Sequence, residues 1–84
     1  MATLAAERVA EVIRVELARQ GRTQADLARY IYGEYDGNIA NRISRRLRGV
    51  ICFSTHERRA AAKFLGMKPG ELLARARAVR QDVA

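Results

Sequence analysis

Asn38, Asn41, Arg42, Arg45 and Arg48 are spaced i, i+3, i+4, i+7 and i+10, so on a helix they line one face. That face offers three guanidinium forks and two amides, with no carboxylate among them. A guanidinium pairs bidentately with guanine or with a phosphate, and an asparagine amide pairs bidentately with adenine. Ile39, Ile43 and Leu47 recur at i, i+4 and i+8 on a different face and form an apolar stripe that can pin the segment to a core. Arg46 adds a positive charge on the flank, and Gly49 ends the run at a helix C′ position. Residues 38–48 therefore read as a recognition helix for nucleic acid. The plainer alternative is a surface helix that happens to be basic.

Four more helices are expected around this one. Residues 3–20 carry a plausible N-cap at Thr3, Glu7 and Glu11 toward the positive end and Arg19 near the negative end. Ala6, Val9, Ala10, Ile13 and Leu17 form its apolar stripe, while Val12 and Val15 lie off it and hint at a second packing surface. Residues 24–32 follow Thr23, with Asp26 three positions on in a capping-box arrangement. Residues 33–37, framed by two glycines, read as a turn. The apolar run Val50–Phe53 is expected to tuck beneath the helices, with Cys52 as a small buried hydrophobe. Ser54 and Glu57 form a second capping box that starts a helix at 55–65, with Ala61, Phe64 and Leu65 inward. Pro69 opens a helix at 69–80, whose apolar side is Leu72, Leu73, Ala76 and Val79.

Composition agrees with a single small all-α domain over 1–84. Nearly half of the residues are apolar (49%), much of that alanine, which suits short helices in close contact better than a sheet. The formal charge is +7, and fourteen of the sixteen basic residues are Arg, a bias that favours planar, bidentate contact with a polyanion. A single cysteine cannot form an intramolecular disulfide and is compatible with a reducing cytoplasm. No stretch has the length of a membrane span or the layout of a secretory signal. Catalysis and metal binding have little support. His56 is the only histidine, it sits inside a capping box, and no glycine-rich phosphate loop is present. No cofactor and no small-molecule ligand is expected.

Taken in order, the motifs resemble the Cro and lambda-repressor-like helix-turn-helix family of the xenobiotic-response-element type. Gly21-Arg22-Thr23-Gln24-Ala25-Asp26-Leu27-Ala28 looks like that family's Gly-x-Thr-Gln-x-x-Leu-Ala approach to its second helix. Ile43-Ser44-Arg45-Arg46-Leu47-Arg48-Gly49 looks like its Ile-Ser-x-x-x-x-Gly exit from the third. Leu65-Gly66-Met67-Lys68-Pro69-Gly70-Glu71-Leu72 is similar to the stretch joining its last two helices. The likeness covers about residues 9–76. It departs between Ile31 and Ile43, which are twelve positions apart, farther than the matching apolar residues of the family. Residues 32–36 therefore look like an insertion.

The resemblance implies a bundle of about five short helices containing a helix-turn-helix, with double-stranded DNA as the partner. Asn38, Asn41, Arg42 and Arg45 become the base-contact candidates, since the N-terminal side chains of a recognition helix reach base edges in the major groove. From 38 to 45 the stripe spans about 11 Å, enough for roughly three to four base pairs. Thr23 and Gln24 open a helix whose N–H groups can hold a phosphate, and the family places the matching Gln at the DNA backbone. Arg22, Arg46 and Arg48 complete the cationic phosphate-contact candidates. Tyr32 and Tyr35 could reach sugar-phosphate through their hydroxyls or pack at the edge of the core. Arg58, Arg59, Arg75, Arg77 and Arg80 are expected to supply general positive field.

The function expected is a sequence-specific, double-stranded DNA-binding transcriptional regulator. A small phage- or plasmid-type repressor that acts by occupying an operator, in the cytoplasm or nucleoid, fits best. The alternative is a protein-interaction module, such as an antitoxin or adaptor, whose sign would be an exposed apolar patch at Val12/Val15 or Leu72/Val79. Family members often bind palindromes as dimers, which leaves a homodimer open.

Overall fold

Side chains at the helix ends decide where each element begins. In the computed structural model, which describes residues 4–81, the helices are α1 (Leu4–Arg19), α2 (Gln24–Tyr32), α3 (Gly37–Leu47), α4 (Thr55–Phe64) and α5 (Pro69–Gln81). The expected cap Thr3 and the side chain of Val79 lie outside the described residues. Both expected capping boxes form. Thr23 accepts from the Asp26 N–H at 3.1 Å while Asp26 accepts from the Thr23 N–H at 3.0 Å. Ser54 and Glu57 do the same at 3.1 and 2.8 Å. The start of α3 differs slightly from expectation. Asp36, read as part of a turn, is the N-cap and accepts from the Ile39 N–H at 2.8 Å, so the helix begins at Gly37.

The far ends of α1, α3 and α4 share one device, the Schellman motif. In α3 the Gly49 N–H donates to the Arg46 carbonyl (3.1 Å) and the Val50 N–H to the Arg45 carbonyl (3.0 Å). Gly49 is needed there twice over. Its φ is +76°, and a Cβ would stand 2.9 Å from the Glu7 Cα, because the end of α3 meets the backbone of α1. Arg14 of α1 also donates to the Leu47 carbonyl, placing a cation at the negative end of α3.

The core draws on all five helices, with Ile13, Leu27, Ile43 and Leu72 fully covered. The Ile39, Ile43 and Leu47 stripe is buried as expected and seats α3 against α1 and α2. Each such side chain contributes about 1.5–3 kcal/mol on burial. The most extensive packing is of α5 along α1, and α4 joins α2 to α5. Glu16, 6% exposed, ties part of this together. It accepts from Arg19 (2.6 and 3.0 Å) and Gln20 (3.2 Å) and pairs with Arg75 of α5 at 3.1 Å. Hydrogen bonding from Arg19, against the opposing effect of burial, brings its carboxyl down to about 2.

All regular structure among the described residues is α-helical, so the chain is all-α, as expected. No helix among these residues is long and apolar enough to cross a membrane. Two packing expectations are corrected. Val12 is a core residue, 6% exposed, rather than part of a second surface; Val15 alone points out. The run from Val50 to Phe53 does not tuck under as a unit. Val50, Ile51 and Cys52 are exposed and only Phe53 is buried. The Schellman turn directs the Val50 and Ile51 N–H groups back to one acceptor, the Arg45 carbonyl. The chain is thereby carried across the end of α3 before Phe53 turns inward.

Candidate nucleic-acid interface

At about 100° per residue, Ile39, Ile43 and Leu47 and the set Asn38, Asn41, Arg42 and Arg45 fall on nearly opposite sides of α3. Burial follows that division. The first three are in the core, and the other four, with Arg48, are exposed. Asn38, Asn41, Arg42, Arg45 and Arg46 line one open hollow of about 320 Å³, with Ile51 as its sixth wall. No carboxylate lines it. The Arg42 guanidinium lies 5.4 Å from the centre of the Tyr32 ring, a cation–π contact that limits its wandering without using its donors. The geometry offers donors and acceptors along one edge of a helix, in a positive field.

The phosphate-contact candidates divide into those left available and those engaged by the fold. Arg48 is exposed at the C-terminal end of α3, with a weak 3.4 Å contact from its Nε to the Ser44 carbonyl. Thr23 and Gln24 stand at the start of α2, where Thr23 spends its hydroxyl on the cap and Gln24 is half-buried. Arg22 donates to the Phe64 carbonyl and stacks 4.2 Å over the Phe64 ring, so it is held against the end of α4. Tyr35 is exposed in the connection between α2 and α3, with Arg29 5.4 Å over its ring.

Arg46 and Tyr32, by contrast, are drawn into the fold. Glu57, on α4 and only 7% exposed, accepts from the Arg46 Nε at 2.9 Å and from the Tyr32 hydroxyl at 2.5 Å. The same carboxylate caps α4 through the Ser54 N–H. One buried acid thus joins α2, α3 and α4. Burial pushes the Glu57 carboxyl up, but the hydrogen bonds from Ser54, Tyr32 and Arg46 outweigh it and hold it below the ordinary range. Burial first, and then the bond to Glu57, push the Tyr32 hydroxyl up to about 12. Of the two alternatives for Tyr32, this contact favours packing at the core's edge over a sugar-phosphate contact through its hydroxyl. Arg46 becomes a positioning residue for α3.

Sequence reasoning missed three participants. The sequence shows Glu57 only as a cap, because its partners lie 11 and 25 positions away and no local pattern reports them. The Arg14 bond to Leu47 spans 33 positions. Ile51, part of an apolar run that points to burial, instead borders the hollow. Among the described residues no cluster of His, Cys, Asp and Glu could hold a metal ion. No protein-family model, curated protein or solved structure matches this chain.

Proposed function

We infer that the protein is a sequence-specific double-stranded DNA-binding regulator in which α2, the 33–36 connection and α3 form a helix-turn-helix. In this reading α3 enters the major groove, with Asn38, Asn41, Arg42 and Arg45 toward the base edges. Arg48 and the start of α2, through Gln24 and the backbone N–H groups that follow the Thr23 cap, meet the phosphates on either side. The observation that carries it is the division of α3 into a buried aliphatic stripe and an exposed, acid-free face of arginines and asparagines. Occupying an operator would be enough to repress a promoter, and no catalytic step is required. Of the residues whose exposure would favour a protein-interaction module, Val12 and Leu72 are buried and Val15 is exposed.

A salt titration tests the reading. With about three to five phosphates neutralised, log K for duplex should fall against log[salt] with a slope of about −3 to −4.5. Binding of duplex that does not respond to salt overturns it.

A further inference from the structure

Val50 and Ile51 are β-branched, apolar and exposed (50% and 38%), and they follow directly on the basic helix α3. They are not on a loose loop. Both backbone N–H groups converge on the Arg45 carbonyl, at 3.0 and 3.5 Å, and Gly49 is wedged against α1 just before them. Their positions are thereby fixed relative to Arg45, one of the groups assigned to base edges. Ile51 also walls the same hollow as Asn38, Asn41, Arg42 and Arg45. Whatever fills that hollow meets arginine forks, asparagine amides and one aliphatic side chain together.

Charge narrows the occupant. Arg42 and Arg45 bring uncompensated positive charge to the hollow, Arg46 being paired with Glu57, and no acid lines it, so a second copy of this chain, itself at +7, would bring like charge against like. A polyanion fits, and on a base edge the apolar feature is the C5 methyl of thymine. We propose that Ile51, flanked by Val50, reads thymine methyl groups next to the base pairs met by Arg42 and Arg45, so that the preferred duplex carries T·A pairs at that point. The proposal rests on the DNA-binding reading and adds a specificity element to it that lies outside α3.

The test uses the duplex recovered most strongly by the full chain from a random pool, with each thymidine replaced in turn by deoxyuridine. That change removes one methyl and leaves base pairing intact. For the wild type, at least one replacement should weaken binding about four-fold, the effect of one buried methyl-sized group. Ile51→Ala should bind the thymidine duplex as weakly as the wild type binds the deoxyuridine one, and should no longer distinguish the two. Circular dichroism and melting of Ile51→Ala should match the wild type, because the side chain is exposed.

Equal binding of every deoxyuridine duplex by the wild type overturns the proposal without using any variant. So does a recovered motif without T·A pairs, or discrimination that survives in Ile51→Ala. A self-association that Ile51→Ala abolishes, with deoxyuridine making no difference, overturns it in favour of a seam between copies. If the pool yields no preferred duplex at all, the DNA-binding reading falls with it.

Discussion

Glu57→Ala should be among the most damaging single changes in this protein. The carboxylate does three things: it returns the Ser54 cap, accepts from the Tyr32 hydroxyl and neutralises Arg46. Losing the reciprocal cap costs about 1 kcal/mol. Removing one partner of a buried charge pair costs about 3–5 kcal/mol when the other is stranded. Arg46 is not wholly stranded, because its side chain is 19% exposed and can turn part of its guanidinium to water. The net loss should therefore be about 2–4 kcal/mol, a large share of the stability of a domain this size. Glu57→Gln keeps one oxygen for Ser54 and Arg46 and loses only the charge and the Tyr32 acceptor, so it should cost about 1–2 kcal/mol. Urea unfolding reads both as shifts in midpoint at constant slope. A double-mutant cycle with Tyr32→Phe should show coupling of about 0.5 kcal/mol or more. A Glu57→Ala protein within about 0.5 kcal/mol of the wild type would refute the claim that this acid holds α2, α3 and α4 together.

Gly49→Ala should destabilise by about 2–4 kcal/mol, since it adds backbone strain at φ +76° and a 2.9 Å clash with the Glu7 backbone; melting temperature checks it. Because the Glu16 and Glu57 carboxyls are lowered on folding, their stabilisation is complete above the ordinary carboxylate value. The Glu16 part should drain away as pH falls from about 4.5 toward 2, and the Glu57 part as pH falls below the ordinary carboxylate range; denaturant midpoints measured across acid pH report both. The Tyr32 hydroxyl is raised, so its contribution has the opposite sense: it is present below pH 10 and lost as pH rises through about 12, which ultraviolet titration of the phenolate follows. Arg48→Ala should make the salt slope of duplex binding shallower by about 1, whereas Arg46→Ala should lower stability and leave that slope nearly unchanged.

Much of the architecture was legible because short helices declare their ends. Thr23/Asp26 and Ser54/Glu57 mark two starts, Pro69 a third, and Gly21, Gly33, Gly49 and Gly66 the stops. The two faces of α3 follow from its 3.6-residue period, so the exposed Asn38, Asn41, Arg42 and Arg45 are legible in the sequence alone. What could not be read was long-range pairing. Arg46 looks like any surface arginine until Glu57, from the next helix, is placed against it. The exposure of Val50, Ile51 and Cys52 was hidden for a related reason. An apolar run predicts burial only if the chain can turn it inward, and here the turn after α3 fixes its direction first.

The most direct measurement is the sequence preference of the wild type, Arg42→Ala and Arg45→Ala, read by sequencing the duplexes each retains from a random pool. The wild type should retain a short preferred motif, and each variant should bind about 1–3 kcal/mol more weakly and lose preference at a single base pair. Retention of the same motif at undiminished strength by both variants would contradict base reading by α3.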